Sequence, residues 1–453
     1  MRRKSIPEQY FDFSEKSTLK VVMEYRQKYQ ALSEVLEANP ELLTLAHGDW
    51  ARLLSSSPEG RAGYPSEQLL RALLVLFLEG GSYREVVIRI DTSEFLRHFV
   101  RLGFKATMDF TFLNRAFGVL SAETLAGMNQ GVTLYAIAQG QISGEKQRLD
   151  TTVHETNIPY PTDSSLLWDS FRTLSRHLRR IRKEFPPLDL DHRFHDKKVK
   201  KLATFIARNA SRKRKATLRQ VPRHYRLLIE RVRWIYGVGQ TVLARVQAIG
   251  EEAVELAHYL PRVDRIVTQA DQRVLQGLRV PADQKLYRLF EEHTELILRG
   301  KARKPLEFGH KVMRGQTAEK FIPHYQVFPQ RREDPELLEP ALKAHQELFG
   351  HPPDVLAADK GFYQNMGQID SLQAQIPAVS IPKKGRRNAQ EDERETCDAF
   401  VSGQRFRAGV EGSISVLKRA CKLGCCLFQG FRHYAASVGL AVLCHNLVLL
   451  TRL

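Results

Sequence analysis

Apolar residues recur at helical spacing through most of the chain and give way to strand-like alternation in a few places only. Residues 1–60 read as a mixed helical arm. Pro65-Ser66 then opens a helix, with Ser66 as the N-cap and Glu67 in the first turn. Its body, 68–79, is nearly all apolar and is expected to be buried; Gly80-Gly81 ends it. Ser82 caps a second helix over 83–90, a third runs over about 93–101, and Asp109 or Thr111 caps a fourth over 112–120. This helix, Gly-Gly, helix cadence fits a helix-turn-helix, and equally a plain small bundle.

The texture changes after about Gly140. Residues 148–154 (RLDTTVH) alternate and are β-branched, which predicts a strand ending in polar residues. Helical spacing then runs from about Asp163 to about Arg299, with no strand signature. Strands are expected again at 306–313 and 321–328, followed by a helix over 334–349 with Asp334 as N-cap and Pro335 in its first turn. A short strand, 354–359, ends in a carboxylate; a short helix, a strand at 378–381, a polar loop to Glu395 and helices over 406–420 and 435–450 close the chain. Without the helical block the order is β-β-β-α-β-α-β-α, an α/β fold with a mixed five-stranded sheet and flanking helices. The expected domains are an arm (1–60), a helix-turn-helix-type all-α domain (61–140) and a catalytic domain (141–453) interrupted by a basic helical insertion (164–300).

Charge sharpens this picture. Of 453 residues, 69 are Lys or Arg and 51 Asp or Glu, for a net charge of +18. Nearly all of the excess lies between Phe171 and Gln240, with 21 basic against 5 acidic residues. The densest runs hold Arg179, Arg180, Arg182 and Lys183; Lys197, Lys198, Lys200 and Lys201; and Arg212, Lys213, Arg214 and Lys215. Apolar residues at helical spacing interleave them (Leu174, Leu178, Ile181; Val199, Leu202, Phe205, Ile206), so they form the outer faces of amphipathic helices. Cations that neutralise phosphates release counterions, so a nucleic-acid grip is favoured over a merely solvated face. The N-terminus lacks the apolar core of a secretory signal, and no apolar run reaches the roughly 20 residues of a membrane span. Five cysteines without paired C-x2-C spacing argue against a disulfide scaffold or a zinc site; a cytoplasmic protein without membrane partners is expected.

The candidate chemistry lies in three acids. Asp150 ends the first strand and Asp359 the fourth; if those strands are parallel neighbours, both carboxylates leave the same sheet edge. Carboxylates that close repel unless a proton or metal neutralises them, and hard oxygen ligands suit Mg²⁺ or Mn²⁺. Glu411 is the candidate third ligand. On a continuous helix Arg407 and Lys418 lie about 40° and 20° around the axis from it, over about 16 Å, and would flank it with phosphate contacts. Glu155, Glu307, Glu393, Glu395 and Asp398 are rivals in loops or without flanking cations. Singly, each of the three acids reads more readily as a turn, cap or i,i+4 ion-pair residue.

The ordered set resembles bacterial insertion-sequence transposases of the DDE type, closest to the ISNCY-type group. Residues 150–169 (DTTVHETNIPYPTDSSLLWD) resemble the first-aspartate block, 299–312 (RGKARKPLEFGHKV) the second strand and its approach, and 358–363 (ADKGFY) the second-aspartate block. Arg407, Glu411 and Lys418 match both spacings of the glutamate signature, and residues 66–118 are similar to the N-terminal DNA-binding domain. The likeness spans roughly 60–453. Gln404 stands where the signature has Tyr, and Asp359-Lys360-Gly361 where Asp-Arg-Gly is usual. The resemblance implies an RNase H-like core in which Asp150, Asp359 and Glu411 hold two divalent ions, Mg²⁺ or Mn²⁺. It implies hydrolytic nicking of an element end, then direct attack of the freed 3′-OH on target DNA. It also implies double-stranded DNA as partner, both element ends and target, and a homodimer to pair two ends. Two other readings remain: an inactive or regulatory DNA-binding remnant, and a metal-dependent nuclease without strand transfer.

Overall fold

The computed structural model describes residues 19–53, 63–188, 190–211, 215–246, 250–298 and 305–452. The chain is mixed α/β and divides into two compact units, 1–155 with 310–453, and 156–309.

Seven strands form one mixed open sheet. They are β1 (Lys146–Thr156), β2 (Glu295–Leu298), β3 (Leu306–Gln316), β4 (His324–Val327), β5 (Val355–Ala357), β6 (Ala378–Ser380) and β7 (Cys425–Cys426). Their order is β2-β3-β1-β5-β6, with β4 also on β3 and β7 on β1. β5 lies between β1 and β6 and is parallel to both, while β2 and β4 run antiparallel to β3. The sheet thus has two strands more than expected. β7 is two residues long, below what alternation can reveal. β2 falls where helix was expected: Glu295-Leu-Ile-Leu298 is too short for its pattern to separate strand from helix, and it pairs antiparallel with the nearby residues 306–309.

In the larger unit the first helices are Lys20–Ala38, Pro40–Leu53 and Ser66–Glu79. Ser66 is not the N-cap: Pro65 holds that place, and the Ser66 hydroxyl lies 2.8 Å from Nδ1 of His47. The next helix, Tyr83–Thr92, starts on a capping box, in which Ser82 Oγ accepts from the Glu85 amide and the Glu85 carboxylate accepts from the Ser82 amide. Ser93 and Asp109 cap Glu94–Phe99 and Phe110–Val119. The region read as a separate 61–140 domain shares one apolar core with the C-terminal helix Phe431–Leu450. Asn446 and Asn129 stitch them through a buried hydrogen bond, in which Asn446 Nδ2 donates to Asn129 Oδ1 at 2.7 Å. By length and composition that C-terminal helix could cross a membrane, but 83% of its apolar window is buried inside the fold, as for a core helix.

The unit 156–309 has its own core. It holds helices Asp163–Glu184, Asp196–Asn209, Lys215–Val246 and Glu251–Ala270. The apolar stripe read from the sequence faces inward: Leu174, Leu178, Ile181, Val199 and Ile206 are all buried.

Candidate functional site

β1 brings the first acid to the site. Its residues are buried on both faces, so its polar side chains must find partners inside the protein. The parallel register pairs Arg148 with Ala357. Two residues further along, Asp150 stands level with Asp359, the residue that follows Ala358 beyond β5. Asp359 also caps the turn Lys360–Phe362, accepting from the Gly361 amide at 2.8 Å. A Cβ on Gly361 would lie 2.8 Å from that same carboxylate oxygen, so the turn admits no larger residue there.

The two carboxylates converge on one guanidinium. Arg407 Nη2 is 3.4 Å from Asp150 Oδ1 and 3.8 Å from Asp359 Oδ2. On its other oxygen Asp150 accepts from Arg314 Nη2, on β3, at 3.3 Å. Burial raises the Asp150 carboxyl above its ordinary value; Arg314 and Arg407 pull it down and Asp359 pushes it up. Burial likewise lowers Arg314. A third arginine, Arg148, has its guanidinium pulled down to about 10, chiefly by burial and then by Arg314. Two guanidiniums, Arg314 and Arg407, thus balance the two carboxylates, with Arg148 next to Arg314. Arg148 Nη2, Arg314 Nε and Nη1, and Arg407 Nε are buried donors without a partner among the described residues.

Arg148 also explains why the expected helix over 406–420 is broken. It donates from Nη1 to the Phe406 carbonyl at 2.8 Å and from Nε to Gln316 Oε1 at 2.9 Å, and its guanidinium lies over the Phe406 ring. The Phe406 carbonyl takes a 3.3 Å bond from the Gly409 amide, and the helix divides into Asp398–Ala408 and Val410–Ala420. A side chain inserted into the i→i−4 ladder is a recognised cause of such a break. A Cβ at Gly409 would lie 2.5 Å from Arg148 Nη1, so a larger residue there would push the guanidinium off the Phe406 carbonyl.

Arg407 therefore sits on one helix, and Glu411 and Lys418 on the next. Glu411 is exposed in the first turn of Val410–Ala420, one turn beyond Arg407. Among the described residues no group of three or more His, Cys, Asp or Glu side chains is arranged to hold a metal. The structure thus brings Asp150 and Asp359 together and leaves Glu411 outside the pair. Asp150 Oδ1 and Asp359 Oδ2 nevertheless share one cation position, with Arg407 as the stand-in, and their hard oxygens fit a divalent ion. Gln404, at the place of the expected tyrosine, donates from Nε2 to the Ser380 carbonyl at 2.7 Å, holding its helix on the sheet. Lys418 lines a cavity of about 1260 Å³ in the same unit, with Arg115, Arg419 and Lys422 beside Phe77, Phe117 and Phe428. Of the rival acids, Glu393 and Glu395 lie on a helix, Ala389–Thr396, and not in the expected loop; Glu395 is paired with Arg387 and Arg394.

Arg179 pairs with Asp196, and Arg180 with Glu252 at 2.7 Å, so these two are engaged internally. Arg182 reaches the Leu190 carbonyl at 3.4 Å. Lys183 and Lys198 are exposed. Lys197, Lys200 and Lys201 line a cavity of about 640 Å³ with Phe205 and Arg208. Arg212, Lys213 and Arg214 lie outside the described residues, as does the side chain of Lys215.

Sequence reading missed Arg148, Arg314 and Gln316. Both strands are rich in polar residues, so nothing in their pattern marked these three as buried beside the acids. Against known protein families, curated proteins and solved structures, the chain matches none.

Proposed function

We propose that this chain is a DNA-cleaving and DNA-joining enzyme, a DDE-type transposase of a bacterial insertion sequence with an RNase H-like core. One observation supports the reading: Asp150, midway along β1 and not at its end as expected, and Asp359, just past the end of the adjacent parallel strand β5, both face the Arg407 guanidinium. That is the convergence the resemblance requires of its first two acids.

Asp150 and Asp359 would hold a divalent ion, Mg²⁺ or Mn²⁺. When bound, such an ion activates water or a 3′-hydroxyl for attack at phosphorus and stabilises the leaving oxygen. Arg314, 1% exposed, cannot reach DNA; its task is to keep the buried Asp150 ionised. Arg407, with a side chain 23% exposed, can reach a phosphodiester from the same place. Glu411, exposed at the start of the next helix, would have to be drawn in when DNA is seated to serve as the third ligand. The helix-turn-helix-like region and the lysines of the unit 156–309 would grip duplex DNA, element ends and target alike, with a homodimer pairing two ends.

A DNA-binding remnant without chemistry is favoured by one fact, the position of Glu411 outside the acid pair. The two readings part on a supercoiled plasmid carrying the gene and its native flanks, incubated with Mg²⁺. Wild type should nick it, and Asp150→Asn should bind it equally well without nicking. Equal cleavage by both proteins would refute the catalytic assignment, and no cleavage by either with binding intact would leave the remnant.

A further inference from the structure

We infer that Arg407 is the resting counterion of the acid pair: its guanidinium occupies the cation position between Asp150 and Asp359 and is displaced when a divalent ion loads. This rests on the functional reading above and deepens it by giving Arg407 a second task besides contact with phosphate.

Two carboxylates facing one point need positive charge there, whether from a proton, a metal or a side chain. Two arginines supply it, and they are held very differently. Arg314 belongs to a buried strand and is 1% exposed. Arg407 stands in the last turn of its helix, next to the break at Gly409, with its side chain 23% exposed. Its carboxylate contacts are 3.4 and 3.8 Å, where a charge-assisted hydrogen bond closes to about 2.7–2.9 Å. Nη2 donates one long hydrogen bond to Asp150 and meets Asp359 only as an ion pair, so a single nitrogen serves both without a bidentate lock, and Nε has no partner among the described residues. The backbone beneath it is pinned, because Arg148 holds the carbonyl of the preceding residue, Phe406. A fixed backbone carrying a loosely tethered cation is the arrangement a displaceable counterion needs. The same guanidinium, once released, remains on the exposed side of the site.

The test is Mn²⁺ binding to the full chain without DNA, followed by the loss of the free-ion paramagnetic resonance signal. Wild type, Arg407→Ala, Arg407→Gln and Arg407→Lys are compared, with thermal unfolding to show that each is folded. Removing a positive charge from the ion's own place should tighten binding by about tenfold or more in the Ala and Gln variants. Lys, which restores the charge, should return the affinity towards wild type. A merely structural role for Arg407 would weaken binding or leave it unchanged, and either result in a folded neutral variant overturns the inference. Adding Asp150→Asn to Arg407→Ala separates the two levels of the argument. If Mn²⁺ binding persists undiminished in that double variant, the ion does not sit at the acid pair and the functional reading itself falls. If Asp150→Asn abolishes wild-type binding while the Arg407 variants change nothing, only the counterion role is lost.

Discussion

Asp150 shows how much a single buried charge depends on its neighbours. It is 5% exposed and its carboxyl is already raised by burial, so its ionised form survives on Arg314 and Arg407. Arg314→Met would leave that charge with one loose partner. Removing one member of a buried pair costs about 3 kcal/mol or more, and that loss is expected at pH 7 in urea unfolding. The sign of its pH dependence follows from the raised carboxyl. In the variant Asp150 is raised further, so it takes up a proton as pH falls, and the uncompensated charge disappears. The gap between variant and wild type should therefore shrink towards pH 5; a gap constant with pH would show that Arg314 acts by packing alone. Histidines work in the opposite sense. Burial pushes His154, His345 and His445 down to about 4, from an ordinary value near 6.5. Each binds its proton more readily unfolded than folded, so its contribution is whole above 6.5 and is lost as pH falls through that window towards 4. Between pH 7 and 5 each should cost the fold about 2 kcal/mol. His154→Gln should flatten the pH profile by that share; an unaltered profile would mean that His154 titrates normally.

At the scale of elements, what was legible was local. The Ser82 and Asp109 caps and the strand around Asp150 are each written in a few adjacent residues, and the folded chain has them; Asp334, expected as an N-cap, lies instead in a first turn that follows Glu333. Ser66 misled because a cap is decided by backbone angles, and its hydroxyl turned instead to a histidine on another helix. The break at Gly409 was illegible for a stronger reason, since its cause, Arg148, lies far away in sequence on a strand. β2 was hidden for another reason: four residues, three of them apolar, carry too little pattern to tell a strand from a helical turn. The acid pair could be named from the sequence, but the arginines that make it tolerable could not be matched to it without the sheet. The helix Asp398–Ala408 must lie tight on that sheet to place Arg407, and Gly403 is the point of closest approach: a Cβ there would be 2.4 Å from Ser380 Cβ. Gly403→Ala should therefore cost about 1–3 kcal/mol despite alanine's better helix propensity, by lifting the helix. It should also alter Mn²⁺ affinity, since Arg407 moves with its helix. Adding Ser380→Gly removes the obstructing atoms and should recover part of both losses; a Gly403→Ala protein as stable as wild type would contradict this packing.

For the whole molecule the dominant fact is that charge and chemistry belong to different units. The acid pair lies entirely within 1–155 and 310–453, while nearly all of the net positive charge falls within 156–309. A sequence count treats every cation in the basic stretch alike, but folding sorts them. Arg179 and Arg180 are engaged by Asp196 and Glu252, whereas Lys197, Lys200 and Lys201 line an open basic cavity with Lys198 exposed beside them on the same helix. Phosphate contacts made by free lysines release counterions, and each contributes about 0.9 to the slope of log affinity against log salt. Replacing the four lysines by Gln should therefore flatten that slope by about 3.6 on random-sequence duplex, measured by fluorescence anisotropy over a series of KCl concentrations. The matching change of Arg179 and Arg180 to Gln should flatten it little, and should instead lower the stability of the helical unit by unpairing Asp196 and Glu252. The four-lysine variant should keep its Mn²⁺ affinity, because none of these residues belongs to the acid site. Equal salt slopes for wild type and the lysine variant would mean that the basic unit is only a solvated face, and the search for the duplex grip would then move to Arg115, Lys418, Arg419 and Lys422 around the larger cavity.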